Sequence, residues 1–473
     1  MTRRFDRRDF LKATTAAGAG YWLTASAVSA TRAAEKPNEK INYAGIGVGG
    51  KGSSDIDNCW LADGQVVAIC DCDENHLNSK ANQKGIQGGD RKDLKQYYTN
   101  AKKYTDYRKM LDEMGKQIDA VTVSTADHTH APASFMAMKL GKHVYCQKPL
   151  THDVWEAHQM RVMAKEMKIC TQMGNQGSAS NGLRRAVEIV QAGVLGKVTE
   201  VHVWTNRPTG FWKQAPDVTA RPTGKFEVPK HVHWDLFQGS APERPYAPGY
   251  HPFAWRGWWD YGTGALGDMA CHTANMAFRA LQLGHPTSAR AVSGPVNPET
   301  CVAFAHVVLQ FPARESLAPV TWNWYEGTKE GVKLAPPAEL LEKLLRKGEK
   351  LAGSGSILVG DKGILFSPND YGEQYRLVGE GVEEAAKKVS ETLPRNGRGD
   401  VGMKQEWAKA IRENNPSLAY SNFEIAGMLT EAVLLGNVAI RTGKAIDYDG
   451  AKCAVTNCPE AAQYIKREYR KGF

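Results

Sequence analysis

Gly45, Gly47 and Gly50 follow the apolar run Ile41-Asn42-Tyr43-Ala44 at G-x-G-x-x-G spacing and precede a helical pattern over residues 53–62. Missing side chains at these positions let a pyrophosphate approach the backbone N–H groups at a helix N-terminus. Alone the pattern is weak. Here Asp71 stands 21 positions beyond Gly50, at the end of a second apolar strand over 65–70, where a carboxylate can accept hydrogen bonds from adenosine ribose hydroxyls. Asp71 would repel a 2′-phosphate, which favours NAD over NADP. Helical and apolar segments then alternate, with helix 106–114, strand 120–125, helix 132–140 and strand 143–146. That order specifies an α/β chain with a doubly wound parallel sheet, and a dinucleotide-binding domain is expected over 38–175.

Two further constellations carry chemistry. Tyr145-Cys146-Gln147-Lys148-Pro149-Leu150 ends one strand, and Ser124-Thr125-Ala126-Asp127-His128-Thr129-His130 ends the one before it. Both lie where such sheets bind ligands, beyond the strands' carboxyl ends. A lysine there, partly desolvated and near a cationic nicotinamide, has its pKa lowered toward acid/base use. His128 and His130 fit loop hydrogen bonding as well as catalysis. The stretch Gly262 to His272 opens a third constellation, with Asp268 and His272 four apart on one helix face. A carboxylate beside an imidazole would orient it and raise its basicity for removing a hydroxyl proton. The alternatives are a helix-capping aspartate with a core histidine, or a metal pair; no third ligand is evident, so no metal is expected.

The 473 residues are 42% hydrophobic and 23% charged, a globular composition long enough for two domains. Net charge is +9 from 60 basic and 51 acidic residues. Several of those bases lie in the first 12 positions, so a nucleic-acid partner gains little support. Arg7-Arg8-Asp9-Phe10-Leu11-Lys12, the apolar stretch 13–28 and small residues near Ala30 and Ala34 read as a twin-arginine signal over 1–34. Handling by the twin-arginine export machinery and a periplasmic or otherwise exported location follow, and no membrane span is expected in the mature form. The nine cysteines lack the spacing of a metal centre, and Cys453 with Cys458 is the one pair placed for a late disulfide. Residues 197–204 alternate with period two, as a strand of a second sheet does. Residues 206–261 are dense in Trp, Pro, His and Gly, which indicates a long ordered loop whose Trp212, Trp234, Trp255, Trp258 and Trp259 either face a sugar or fill a core. Residues 446–473 read as a surface tail or docking arm.

In this order the constellations resemble the glucose–fructose oxidoreductase, inositol dehydrogenase and rhizopine-catabolism (Gfo/Idh/MocA) family, over about residues 40–444. The resemblance implies a C-terminal α+β domain over 176–445 with an open, largely antiparallel sheet that forms the substrate floor and a homo-oligomer interface. It implies that Gly45, Gly47, Gly50 and Asp71 hold the dinucleotide, helped by Thr125, Asp127, His130, Gln147 and Lys148, while Lys148, Asp268 and His272 surround the reacting carbon. Two departures stand out: the family's Glu-Lys-Pro is Gln147-Lys148-Pro149, and its Thr-Pro-Asn is Thr125-Ala126-Asp127. The implied activity is hydride transfer between a tightly bound NAD and a sugar, glycoside or cyclitol hydroxyl carbon. Alternatives are an NAD-dependent glycosidase or lyase acting by transient oxidation and elimination, and a non-catalytic sugar-binding protein.

Overall fold

The computed structural model describes residues 40–62, 64–82, 98–208 and 220–473. The export-signal stretch and Trp212 lie outside the described residues. Strands β1 (Ile41–Ile46), β2 (Gly64–Cys70), β3 (Lys102–Tyr104), β4 (Ala120–Val123), β5 (His143–Cys146) and β6 (Thr171–Met173) form one sheet. Its order is β3-β2-β1-β4-β5-β6 and every pairing is parallel. The central strands β4 and β5 are buried along their whole length, because crossover helices cover both faces of a parallel sheet. Those helices are α1 (Gly50–Leu61), α2 (Glu74–Asn82), α3 (Tyr107–Met114), α4 (Asp127–Lys139) and α5 (Val154–Glu166). The strand order reverses between β1 and β4, and ligands bind at such a point. Edge strand β3 had no signal in the sequence, since Lys102-Lys103-Tyr104 carries no apolar alternation.

Helix α4 begins five residues before the expected start, with Pro132 inside it. A proline cannot bond the carbonyl four residues back, and that carbonyl, of His128, is served instead by Ser240 Oγ at 2.9 Å and Arg467 Nη2 at 3.0 Å. Tertiary donors thus permit a helix that the sequence pattern argued against.

Helix α6 (Asn181–Gln191) leads to β7 (Val198–Thr205) and the second sheet. The remaining strands are β8 (Ser288–Ser293), β9 (Phe304–Phe311), β10 (Val320–Lys329), β11 (Val332–Lys333), β12 (Gly355–Gly360), β13 (Ile364–Ser367), β14 (Arg376–Val378), β15 (Ile446–Asp449) and β16 (Ala454–Val455). Their order is β14-β13-β12-β7-β10-β9-β8-β15-β16, with β11 paired to β10. The β7/β10 pair is parallel and the others are antiparallel. Three helices join the domains: α7 (Gly264–Thr273), α8 (Gly399–Arg412) and α9 (Phe423–Thr442). Trp407 of α8 packs on Tyr43 and Tyr145 of the first sheet, with ring centroids at 5.4 and 5.8 Å. A helix that begins at Gly399, 224 residues past the end of the dinucleotide domain at 175, therefore completes that domain's core. Helix α9 is long and apolar enough to cross a bilayer by composition, yet 83% of its apolar window is buried inside the protein.

Two sequence expectations change. Residues 446–473 are not a free surface tail: β15 pairs with β8, Arg467 reaches Asp153 and the Asp260 carbonyl, and Tyr469 Oη donates to Glu156 at 2.6 Å. Cys453 and Cys458 are both buried free thiols rather than a disulfide. Within the loop that follows β7, Trp255, Trp258, Phe237, Tyr250 and Tyr261 form a core with Ala126 of the first domain. Packing, not exposed sugar stacking, accounts for Trp258 and Trp259, which are 6% and 4% exposed.

Candidate active site

A cavity of about 540 Å³ runs from the glycine loop to the second sheet. At one end Gly47 has φ +77°, and a Cβ there would meet the Ser124 carbonyl oxygen at 2.6 Å. Gly50 has φ +46° and faces open space. Helix α1 carries no side-chain cap and no acidic residue in its first turn, so its N-terminal amides remain available to an anion. These features fit a dinucleotide pyrophosphate.

Asp71 stands beside this cradle but does more than the spacing implied. Its Oδ2 accepts from the Val48 and Gly49 amides at 2.9 and 3.1 Å. Its Oδ1 accepts from the Asp73 amide at 3.0 Å and faces His76 Nδ1 at 3.4 Å. Burial would raise its pKa, yet the His76 contact and the amide donors outweigh it and hold Asp71 below the usual carboxylate range. Asp71 therefore shapes the glycine loop itself, and ribose hydroxyls would share Oδ1 with His76.

At the other end, Lys148 leaves β5 and its Nζ meets Asp268 Oδ1 of α7 at 2.6 Å. Arg256 Nε lies 3.6 Å from the same oxygen. Asp268 thus faces two cations rather than His272, and the expected rise in His272 basicity is not found. Burial, then the charges of Lys148, Lys51 and Arg207, hold the His272 pKa well below its ordinary value. The ring lines the cavity as a neutral imidazole, with Nδ1 buried and without a hydrogen-bond partner. Helix α7 is buried all round, which explains its small residues: a side chain at Gly267 would collide with Thr263.

The other expected site residues divide. Thr125 and Asp127 line the cavity, and Asp127 Oδ2 accepts from the Thr263 amide and hydroxyl at 3.1 and 2.7 Å, tying α4 to the start of α7. Burial pushes the Asp127 carboxyl up to about 7, against the Thr263 hydrogen bond and the Arg256 charge. His130 sets Nδ1 2.8 Å from the Pro149 carbonyl and Nε2 3.1 Å from the Thr125 carbonyl, and the neutral ring donates its one N–H to one of them while packing between both loops around Lys148. His128 likewise lies between the backbone carbonyls of Phe237 and Tyr261 and donates its single N–H to one of them. Both rings are held neutral, chiefly by burial.

Gln147 explains one departure from the family pattern. Its Nε2 donates at 2.8 Å to Asp55, a wholly buried carboxylate of α1 that also receives Lys51 and Lys404 at 2.6 and 2.7 Å. A glutamate at 147 would set two carboxylates against each other, whereas the amide satisfies one. Asp55 and Lys404 carried no sequence signal, because they lie 349 residues apart. The same holds for Tyr371, whose ring stands edge-on to His272 at 5.1 Å and whose hydroxyl accepts from Gln176 at 3.1 Å. Phe473 reaches the dinucleotide end, under the Arg108 guanidinium at 3.9 Å.

Comparisons with known proteins agree with this geometry. A family model described as oxidoreductase family, NAD-binding Rossmann fold, matches residues 41–175. A second, described as oxidoreductase family, C-terminal alpha/beta domain, matches 180–283. The two together cover just over half of the chain. A glycosyl hydrolase family 109 protein of Solibacter usitatus is 28% identical over 198 residues, 41% of this chain and 44% of the relative. An inositol 2-dehydrogenase of Salmonella typhimurium is 27% identical over 141 residues, 29% of this chain and 37% of the relative. The matched stretches thus span less than half of these relatives' length. Among solved structures, the WlbA dehydrogenase of Bordetella pertussis, in complex with NADH and UDP-GlcNAcA, shares the fold at TM-score 0.56 and 14% identity, over 87% of this chain and 99% of that one. An inositol dehydrogenase homolog of Azotobacter vinelandii, complexed with NADH and myo-inositol, does so at TM-score 0.53 and 16% identity, over 87% and 98%.

Proposed function

Because the chain belongs to the GFO/IDH/MocA family of NAD-binding oxidoreductases, we propose that it oxidises or reduces a hydroxyl-bearing carbon of a sugar, glycoside or cyclitol. The observation that carries this reading is the Lys148–Asp268 pair beside the neutral His272, at the cavity end opposite the glycine loop. Bound NAD supplies the hydride acceptor. Asp268 holds the Lys148 ammonium where it can hydrogen-bond the substrate oxygen and stabilise charge developing there. His272, kept neutral by its surroundings, is the group able to take the hydroxyl proton as the hydride leaves the carbon. The buried aromatic layer around Trp255 and Tyr261 excludes water from this end.

The family 109 relative keeps a second reading open, in which oxidation is transient, an aglycone is eliminated and the hydride returns. We also propose export by the twin-arginine route. Arg7-Arg8 and the apolar stretch after it support this reading. Replacing Arg7 and Arg8 with lysine is expected to leave the protein in the cytoplasmic fraction, and unchanged export would end that proposal.

The activity is tested by denaturing the purified protein, identifying released dinucleotide by mass spectrometry, and following the reduced-nicotinamide absorbance of intact holoprotein as sugars and glycosides are added. A persistent change marks net redox chemistry. A transient change with aglycone release marks the elimination cycle. Absence of any bound or bindable dinucleotide would overturn both.

A further inference from the structure

Away from the cleft, where the C-terminal segment returns to the body of the protein, three potential metal ligands converge on a buried carboxylate, the fourth. Glu431 lies in the middle of α9 with its side chain wholly buried. His158 of α5 places Nδ1 at 3.4 Å from Glu431 Oε2, and His285, which follows the last apolar turn before β8, places Nδ1 at 2.8 Å from Oε1. Cys453, in the turn between β15 and β16, brings its thiol into the same group: one ligand atom each from His158, Glu431 and Cys453 lie within 4.8 Å of one another.

Three observations separate this cluster from an ordinary buried ion pair. First, two imidazoles and a thiol crowd one wholly buried carboxylate with no lysine or arginine against it among the described residues, and His158 Nδ1, His285 Nδ1 and Glu431 Oε2 are buried without well-aligned hydrogen bonds. Second, Cys453 has φ +51°, a left-handed conformation that costs a non-glycine residue of the order of 1 kcal/mol and clusters at functional sites. Third, the surroundings are organised like an outer coordination shell. Tyr448 Oη donates to Glu431 Oε1 at 2.6 Å, fixing the carboxylate, and the Gly450 backbone packs so closely on the His285 ring that a side chain at 450 would displace it.

We propose that His158, His285, Glu431 and Cys453 form a structural zinc site that fastens the C-terminal segment to both domains. Two imidazoles, one carboxylate and one thiolate are the donor set of a closed tetrahedral zinc centre. Metal–ligand bonds of about 2.0–2.3 Å bring ligand atoms to within roughly 4 Å of each other; His158, Glu431 and Cys453 already stand near that spacing, and His285, with its ring centroid 6.3 Å from that of His158, turns inward from Glu431 to supply the fourth ligand. A shallow depression lined by His285, Thr287, Tyr448 and Asp449 reaches the cluster from solvent and serves as the entry path. Zinc also gives the buried free thiol of Cys453 a ligand role. Binding releases the thiol proton to solvent and changes no oxidation state.

The test uses the full-length folded protein, stripped with a chelator, re-equilibrated with zinc chloride, desalted and analysed by inductively coupled plasma mass spectrometry. About one zinc per chain is expected, with apparent melting raised by several degrees when free zinc is in hundredfold excess over Kd. Cobalt substitution should give a thiolate charge-transfer band in the near ultraviolet. Cys453→Ser and His158→Asn should each weaken zinc at least tenfold, Cys453→Ser also abolishing the cobalt band, while His251→Ala, in the separate Asp73–His76–His251 group on the cleft wall, should change neither. The proposal is overturned by folded wild-type protein that takes up no stoichiometric zinc, by zinc retained undiminished in Cys453→Ser, or by zinc lost only in His251→Ala.

Discussion

The two ends of the cleft are built on opposite principles. At the dinucleotide end the protein satisfies its own polar groups: both Asp71 oxygens are engaged by loop amides and His76, and the glycines leave room without leaving strain-bearing side chains. At the reacting end it does not. His272 Nδ1 is buried without a partner, Asp127 is buried with its carboxyl pushed up to about 7, and Lys148 and Arg256 crowd one aspartate. A buried polar atom left short of a partner is costly in a folded interior, so the unpartnered His272 Nδ1 beside the Lys148–Asp268 pair marks where a ligand would be received. The dinucleotide end is part of the fold's stability, and the reacting end is held up by the rest of the fold.

That contrast breaks most directly at Lys148. Lys148→Ala should lower turnover on the order of 10³-fold while the released-dinucleotide content stays at the wild-type level; loss of cofactor in parallel would mean the two ends are not separable. Next in size is Arg467→Ala at the rim. Arg467 caps the His128 carbonyl left free by Pro132 and meets Asp153 at 3.4 Å, so its removal leaves buried acceptors and a carboxylate short of partners. A loss of about 3 kcal/mol in urea unfolding is expected, and a change under 1 kcal/mol would show that the C-terminal segment merely rests on the surface. Asp71→Ala should weaken dinucleotide binding roughly 10- to 100-fold by equilibrium titration, the worth of one or two hydrogen bonds to a charged acceptor. It should also lower the melting temperature of the cofactor-free protein. An unchanged melting temperature would sink the idea that Asp71 builds the loop.

The same division governs what the sequence disclosed. The dinucleotide end was legible because its parts are local: the glycines, β1, α1 and Asp71 fall within about thirty residues, and strand–turn–helix periodicity places them without tertiary knowledge. Lys148, Asp268 and His272 were legible as motifs, but their partners were not. Spacing put Asp268 and His272 on one helix face, yet the nearest cations came from β5 and from the aromatic loop, so the carboxylate turned to Lys148 and Arg256 instead. Asp55, Lys404, Tyr371 and Glu431 act through contacts across hundreds of residues, which no periodicity records. Helix α4 ran through Pro132 because Ser240 and Arg467 supply the donors that local rules count as missing. Residues 446–473 read as a tail because β15, β16 and Arg467 find their partners only after both domains have formed.

The smallest effect expected is also the one that bears most closely on the contrast. Asp127 stands where the family pattern has asparagine, and burial raises its carboxyl to about 7. A raised carboxyl means that the folded state holds a proton which the unfolded chain releases near pH 4. The stability this proton contributes is complete below that pH and is lost progressively as pH rises to about 7. Asp127→Asn keeps an acceptor oxygen for the Thr263 amide and hydroxyl but has nothing to ionise. Its melting temperature should therefore gain on wild type as pH rises from about 4 to about 7 and keep a constant lead above that, by a few degrees at most. Wild type is expected to show an inflection in turnover near pH 7 that the variant lacks, because ionised Asp127 adds negative charge beside the Lys148–Asp268 pair. Superimposable melting and rate profiles for the two proteins would place Asp127 with the satisfied groups of the dinucleotide end rather than with the strained ones around His272.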